Sequence, residues 1–191
     1  MSVICSIELA IRDNEKFCHQ LVLIKGIIKC SQPLADYPDH NNPSDGRFIK
    51  FTRFDGVEYN WPINSINEFK AVIRLKKGLN KFNVNYTYMN EEASLDINLL
   101  YEENMSMTPL GLSIFMTKDS NHVFDMDKES KSTGEKNDLD SAIKRVRTGG
   151  LLWQALTSES LNYHGLGRKS FRLDLDSNQG NLYYIVSLSV C

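Results

Sequence analysis

This sequence of 191 residues has no marked excess of charge of either sign, no long apolar run and no targeting signal. Lysine and arginine number 22 against 24 aspartate and glutamate residues, so no basic field favours nucleic acid or an anionic membrane as a partner. No stretch reaches the roughly 18 consecutive apolar residues of a membrane helix, and the first residues lack a basic and an apolar signal region. We therefore expect a cytoplasmic protein with neither nucleic-acid nor membrane partners.

Cysteine is scarce as well. The sequence holds Cys5, Cys18, Cys30 and Cys191, and no two of them form a C-x-x-C pair. In a reducing compartment we expect all four to be free thiols that pack as small hydrophobes. Metal or redox use is the alternative, and the spacing does not favour it.

Histidine is too sparse for a zinc hydrolase motif. The four histidines are His19, His40, His122 and His164, and no two lie four residues apart, so an H-E-x-x-H helix is absent. The sequence consequently offers no catalytic, cofactor-binding or metal-ligating residue, although a ligand set assembled from distant residues is the alternative. Cys18 and His19 adjoin on a predicted strand edge, where neighbouring side chains point to opposite faces and cannot act as a nucleophile–base pair.

Three acidic pairs have carboxylates two residues apart, a spacing that Ca²⁺ or Mg²⁺ could use, but the EF-hand pattern is missing. Loop and helix-cap charges are the favoured interpretation of these pairs, Asp125 with Asp127, Asp138 with Asp140, and Asp174 with Asp176. A basic-rich region has two interpretations. Ordinary solvent-facing charges are the favoured one, and an anion-binding patch is the alternative. Its members are Lys144, Arg145, Arg147, Arg168, Lys169 and Arg172.

The first half of the chain alternates apolar and polar residues with the period of β-strands. Residues 20–29 are nearly all apolar, which predicts a strand buried on both faces, and Gly26 within it predicts a bulge or a close backbone approach. Residues 47–54 and 57–61 predict a hairpin closed by Asp55-Gly56 in a type I′ turn.

The clearest alternation follows at 69–75 and 82–88, on either side of Gly78, and predicts a second hairpin with one buried face. Its apolar residues are Phe69, Ala71, Ile73, Leu75, Phe82, Val84, Tyr86 and Tyr88. Leu95, Ile97 and Leu99 predict a last strand, and Phe82, Tyr86, Tyr88 and Trp61 are expected in the core rather than on a ligand platform. About seven short strands predict an antiparallel β-sandwich of immunoglobulin-like architecture over residues 1–105.

The second half, residues 106–191, changes character. Residues 110–117 predict a covered strand, a polar loop follows over 122–138, and a helix begins with Asn137 as its cap and ends near Gly165. The stripe predicted to be buried is Leu139, Ile143, Val146, Gly150, Trp153, Leu156 and Leu161, with Gly150 permitting close approach to a sheet. Strands at 171–175 and 182–191 complete a small, incomplete α/β strand–helix–strand unit, and the fold class expected of the whole chain is α+β.

Two segments carry a resemblance. They are TPLGLSIFMTKDS, from Thr108, and NDLDSAIKRVRTGGLLWQALTSESLNYHGLGRKSFRLDL, from Asn137. Both segments resemble the fungal putative zinc metallopeptidase family that has an immunoglobulin-like N-terminal region. A third segment, FKAVIRLKKGLNKFNVNY from Phe69, resembles that N-terminal region. The likeness covers roughly residues 3–175 and fades after Asp176; Gly149-Gly150 departs from it.

The resemblance implies a hydrolase as the parent protein, with its zinc motif further downstream, so zinc is expected only in the longer family members and no cofactor in this chain. The first hypothesis is a non-catalytic N-terminal portion of such a metallopeptidase, inactive alone. The alternatives are a stand-alone sandwich module that binds a protein or glycan ligand, and a defective truncated gene product.

Overall fold

The structure, a computed structural model, describes residues 5–31, 47–88, 91–116, 134, 136–174 and 183–186. The chain divides into two compact units, Met1–Glu103 and Asn104–Cys191. The domain boundary predicted between residues 105 and 106 lies close to this division. Each unit is described by itself. The predicted loop over 122–138 lies largely outside the described residues, as do His40, His122, Asp125, Asp127, Asp176 and Cys191.

The described part of the first unit consists of strands in two sheets. The strands are Cys5–Leu9 (β1), Glu15–Phe17 (β2), Leu21–Cys30 (β3), Phe48–Arg53 (β4), Glu58–Pro62 (β5), Glu68–Arg74 (β6), Gly78–Tyr88 (β7) and Glu91–Tyr101 (β8). One sheet has the order β1-β3-β6 and the other β2-β8-β7-β4-β5. Neighbouring strands are antiparallel except β2 and β8, which are parallel. One buried cluster draws side chains from both sheets, which confirms a sandwich-like arrangement.

The alternation in the sequence correctly identifies the core. The buried predicted positions are Phe69, Ala71, Ile73, Leu75, Phe82, Val84, Tyr86, Ile97 and Leu99. Trp61 and Tyr88 are half-buried and pack against the same cluster, so the aromatic set belongs to the core as predicted. Each large apolar side chain that is fully buried stabilises the fold by roughly 1.5–3 kcal/mol.

The predicted hairpin between β6 and β7 is wrong. β6 pairs with β3 in one sheet, whereas β7 pairs with β4 and β8 in the other. Residues 75–77 connect the two sheets. The buried Asn80 stabilises this connection, because its Nδ2 donates to Lys76 O (2.7 Å) and Gly78 O (2.9 Å). A strand that buries one face shows the same alternation in either sheet, so the pattern could not distinguish the two pairings.

The turn between β4 and β5 also differs from the predicted type I′. Gly56 has φ +86°, but Asp55 is not among the described residues with positive φ. Gly56 N donates to Arg53 O (2.8 Å) and Arg53 N donates to Val57 O (2.8 Å). This is a three-residue loop with glycine at its left-handed position, and it leaves the Asp55 carboxylate free to turn back toward Arg53.

Strand β3 is covered less completely than predicted. Its inner residues Val22, Ile24 and Ile28 are buried, but Lys25 on the outer face is exposed and Ile27 is half-buried. The outer face of this sheet is therefore open, because no further layer covers it within the described residues of the unit.

The expectation of four free thiols is wrong for Cys5 and Cys30. They face each other in the register of β1 and β3 and form a disulfide, with Cα atoms 4.1 Å apart. Side chains that face each other across an antiparallel pair come within reach of such a bond. A separation of 25 residues in sequence gives no hint of that register. Cys18 is free.

The described elements of the second unit are Pro109–Leu110 (β9), Ser113–Met116 (β10), Leu139–Tyr163 (α1), Arg172–Leu173 (β11) and Tyr183–Val186 (β12). β9 pairs in parallel with β11, and β10 in parallel with β12. The predicted strand over 110–117 is thus two short strands. The parallel β9–α1–β11 connection confirms a strand–helix–strand unit, and the chain as a whole has the α+β class.

The helix ends differ in one detail from the prediction. Asp138, not Asn137, is the N-cap, and its Oδ1 accepts from Ser141 N at 2.9 Å. At the other end Gly165 has φ +77°, and Leu166 N donates to Leu161 O (2.9 Å). This is the bonding of a Schellman motif, so the predicted stop at Gly165 is confirmed.

The face of α1 that packs within the second unit matches the predicted stripe only in part, since Gly150 is buried and Leu139, Ile143 and Leu161 are half-buried. The buried residues of the helix are Gly150, Leu151, Gln154, Ala155 and Ser158, whereas Val146, Trp153 and Leu156 are exposed. The predicted close approach at Gly150 is confirmed, because a Cβ there would stand 2.5 Å from Leu112 Cδ1. The buried face combines small residues with Leu151 and Gln154, while larger apolar side chains such as Trp153 and Leu156 stay outside, which hydrophobic periodicity alone does not predict.

Candidate functional site

Gly26 is the centre of a groove across the three-stranded sheet. Its register partners are Leu9 on β1 and Phe69 on β6. A Cβ at Gly26 would stand 2.3 Å from Phe69 Cζ and 2.7 Å from the Glu8 carbonyl oxygen. The close approach predicted from this glycine is confirmed, since only a residue without a side chain fits here.

The groove has a volume of about 360 Å³ and combines an apolar floor with charged walls. It is lined by Glu8, Leu9, Ala10, Lys25, Gly26, Ile27, Glu68, Phe69 and Lys70. Lys25 and Lys70 are directly opposite each other in the strand register, and like charges so placed repel. The sequence alone does not group the four charged residues, and Lys25 lies in a segment predicted to be buried on both faces; the register of three strands brings them together.

A second groove adjoins the first and shares Glu68, Phe69 and Lys70 with it. Its other side is lined by Pro62, Ile63 and Asn64, and Asn64 begins the turn over residues 64–67, in which Asn67 has φ +64°. The buried Arg47 holds this turn: its guanidinium donates to Asn67 Oδ1 (2.7 Å) and to Asn64 O (3.0 Å). Neither groove is lined by a histidine, cysteine or serine, so their chemistry is binding through charge, amide and apolar contact.

An ion cluster joins the two sheets at the β4–β5 turn. Arg53 Nε donates to Asp55 Oδ1 at 2.7 Å, and Lys76 Nζ lies 2.6 Å from Asp55 Oδ2. The same guanidinium donates to Arg74 O (2.8 Å) at the end of β6. The hydrogen bond from Arg53, followed by that from Lys76, holds the pKa of Asp55 well below its ordinary value, and the Asp55 bond raises the pKa of Arg53. This cluster is structural, since each charged group is already satisfied by another.

Cys18 and His19 lie closer together than the sequence predicts. β2 ends at Phe17 and the chain bends over residues 18–20, so the alternation of a strand does not apply. Cys18 Sγ is 3.8 Å from His19 Nδ1, and the buried His19 ring stands edge-on to Phe17 at 5.9 Å between centroids. The prediction that these side chains point apart is wrong.

Two of the other charged candidates have structural roles. Asp138 is the N-cap of α1; the hydrogen bonds from Ser141 lower the pKa of its carboxyl. In the basic-rich region, Arg168 Nε pairs with Glu159 Oε1 at 2.6 Å, and both side chains are largely buried. Arg168 is therefore held inside the unit, so it departs from the favoured prediction of solvent-facing charges and is also lost to the alternative of an anion-binding patch.

The described residues do not fit a zinc site. His164 is the C-cap of α1 with its ring against Tyr163, and His19 packs against Phe17 and Cys18. Within the described ranges, no three His, Cys, Asp or Glu side chains are grouped so that they could hold a metal ion. The same part of the chain has no helix with the length and apolar character needed to cross a membrane.

The second unit offers a surface of another kind. α1 exposes a stripe of large apolar side chains, Val146, Trp153, Leu156 and Tyr163, on the side away from the buried Gly150 and Ser158. Trp153 contacts Phe171, with 4.8 Å between ring centroids, yet more than half of it is exposed. An apolar surface of this kind typically marks contact with another protein surface.

Comparison with known proteins finds a peptidase family and two similar fungal proteins. A family model described as a putative peptidase family matches residues 6–187. A putative zinc metalloproteinase of Schizosaccharomyces pombe is 28% identical over 165 residues, covering 86% of this chain and 24% of the relative. One of Saccharomyces cerevisiae is 26% identical over 162 residues, covering 84% of this chain and 21% of the relative. The chain thus spans about a quarter of the length of these relatives, or less.

Among solved structures, an endo-beta-1,4-mannanase from Thermotoga petrophila matches with a TM-score of 0.37 and 8% identity, over 55% of this chain and 20% of that one.

Proposed function

This chain belongs to the putative peptidase family, and from that premise we propose that it is a non-catalytic portion of a longer zinc-metalloproteinase-type protein, inactive by itself. One observation carries the proposal: the chain matches only about a quarter of its relatives' length, or less. The histidines agree with it, because no two of them have the spacing of a zinc helix. In this view zinc and peptide hydrolysis belong to the remaining sequence of the longer proteins.

The positions of the described histidines support this division. His19 is buried in the first unit, and His164 caps a helix in the second unit. Both imidazoles lie in local packing contacts, and among the described residues neither belongs to a group of three His, Cys, Asp or Glu side chains such as a catalytic zinc requires. The role that remains for this portion is to fold as a scaffold and to present surfaces to other parts of the protein.

The test is zinc content and peptidase activity of the purified full chain. After incubation with zinc and dialysis, we expect well below one equivalent of bound zinc by mass spectrometry and no cleavage of a casein substrate. The full-length S. pombe relative, treated identically, serves as the comparison. One equivalent of zinc, together with hydrolysis that a chelator abolishes, would overturn the proposal.

The groove around Gly26 favours a second candidate function, a binding module for a ligand that carries negative charge. Lys25 and Lys70 face each other there, and an anionic group between them would relieve their repulsion. Glu8 and Glu68 also line the groove, but Glu8 is paired with Lys29 at 2.7 Å. A volume of about 360 Å³ falls in the range of small-ligand sites. Titration of the full chain with neutral and acidic oligosaccharides tests this function.

The expected result is saturable binding of the acidic sugars only, lost in a Lys25→Glu/Lys70→Glu variant and kept in Lys81→Glu, which changes an exposed lysine on β7. Binding that survives in the double variant, or no binding to any oligosaccharide, would remove the groove as the site of a glycan-binding module.

A further inference from the structure

The exposed face of α1 repeats at alternating steps of three and four residues. The positions are Val146, Gly149, Trp153, Leu156, Ser160 and Tyr163, the spacing by which one helix packs lengthwise against another. The large members of this helix face are 38%, 54%, 59% and 86% exposed in chain order. At about 1.5 Å per residue, the helix face is roughly 25 Å long.

Gly149 gives independent evidence that something approaches this face. A glycine inside a helix costs about 1 kcal/mol relative to alanine. Its neighbour Gly150 is explained by the contact with Leu112, but a Cβ at Gly149 would meet nothing within 4 Å. Among the described residues, therefore, Gly149 has a cost and no contact that requires it. A surface that packs closely onto the face would supply the reason, since glycine lets a neighbouring backbone come near.

The size of the relatives indicates which surface this is. The helix lies inside the region matched by the family model, and three quarters or more of each relative lies outside the matched region. In such a longer protein, sequence covalently joined to this unit is present at high effective concentration. A second copy of the chain would have no such advantage.

We propose that the helix face formed by Val146, Gly149, Trp153, Leu156, Ser160 and Tyr163 is the docking site for an apolar helix from the peptidase portion of the longer family members. The inference rests on the proposed function and adds to it the surface by which the two portions associate. Gly149 and Ser160 leave recesses between the large side chains, and side chains of the incoming helix fill them as knobs fill holes.

The test uses the full chain and, as probe, the part of the S. pombe relative that lies outside its matched region. Trp153 is the reporter, in a Trp61→Phe background that leaves one tryptophan. We expect the probe to reduce acrylamide quenching of Trp153 several-fold and to bind measurably by interferometry. Leu156→Glu should weaken binding at least 10-fold. Ile66→Glu, which changes an equally exposed apolar residue of the first unit, should leave it unchanged.

Three results would overturn the proposal. In the first, the probe leaves acrylamide quenching of Trp153 unchanged, although the same probe binds and protects the matched segment of the S. pombe relative. Neither segment could bind the probe. The chain could instead form a dimer by light scattering that Leu156→Glu dissociates, which would make a second copy the occupant. Zinc content and casein cleavage play no part in this readout, so its failure and that of the proposed function are distinguishable.

Discussion

The ring of Phe69 occupies the space where Gly26 would carry a side chain, with Cζ 2.3 Å from the position of a Cβ. The two residues are register partners on β6 and β3, and Phe69 is part of the buried core. The absence of a side chain at Gly26 therefore provides the space in which the aromatic ring of Phe69 packs.

Gly26→Ala should destabilise the first unit by about 2–3 kcal/mol, because the new methyl group meets both a buried ring and a backbone carbonyl that cannot both move. Urea unfolding of the full chain measures this. Gly111→Ala is the control, since a Cβ there meets nothing within 4 Å. Phe69→Leu in the Gly26→Ala background should recover part of the loss; strict additivity of the two substitutions would contradict the contact.

The adjacent glycines of α1 should respond in opposite ways. Gly149→Ala adds a better helix former in open space and should stabilise the chain by about 1 kcal/mol. At Gly150 the same gain is offset by contact with Leu112 Cδ1 at 2.5 Å and Leu173 Cδ1 at 3.4 Å, so Gly150→Ala should be less stable than Gly149→Ala by at least about 1 kcal/mol. Thermal unfolding followed by circular dichroism compares them, and equal midpoints would contradict the packing.

The Cys5–Cys30 bond should be detectable by thiol counting. Unfolded without reductant, the chain should show two reactive thiols of its four cysteines, and all four after reduction. Cys5→Ser should lower the free energy of unfolding by about 3 kcal/mol, the entropy of closing a loop of this size. Cys18→Ser, which breaks no disulfide, is the control. Four thiols in the unreduced protein would show that the bond does not form. That result would agree with the predicted cytoplasmic location, where disulfides are rare.

The Arg53–Asp55 pair predicts a pH dependence. The pKa of Asp55 in the folded chain lies below the ordinary value of 3.8, so the unfolded state binds the proton more readily. The stabilisation is then fully present above the ordinary value and lost as pH falls below it toward the lower folded pKa. Asp55→Asn should be less stable than the wild type at pH 7, and the difference should shrink below pH 3.8.

Urea unfolding from pH 7 to pH 2 measures that difference. Glu92→Gln, which removes one exposed charge on β8, controls for the change in net charge. A difference between Asp55→Asn and the wild type that stays constant over the whole range would contradict the pairing.

The sequence predicted burial in strands well and pairing poorly. Alternation of apolar residues is a local property, so the buried side of β6 and β7 could be identified from Phe69, Ala71, Phe82 and Val84. Which strand lies next to which depends on contacts between distant residues, and the same alternation fitted a false hairpin. The Cys5–Cys30 disulfide and the groove around Gly26 were missed for this reason, although Gly26 itself gave the right local signal.

In the helix the error had another cause. Its apolar residues lie on two faces, and the predicted stripe followed the face with the larger side chains Trp153 and Leu156. The buried residues are instead Gly150, Leu151, Gln154, Ala155 and Ser158, and the missing side chain of Gly150 lets the helix lie close to Leu112 and to Leu173 of β11. At Cys18 and His19 the strand pattern was extended beyond its end at Phe17.

The parallel pairing of β2 with β8 has a consequence for how the first unit forms during synthesis. Glu15–Phe17 lie beside Leu99–Tyr101, and the Asp13 carboxylate accepts from Asn98 N at 2.7 Å. The start of the chain is thus joined to the end of the same unit. Contacts between residues so far apart in sequence form late, since a long loop must close first. On the ribosome, the five-stranded sheet cannot be completed until residue 101 has left the exit tunnel, so the emergence of β8 would be the event that permits the sandwich to close.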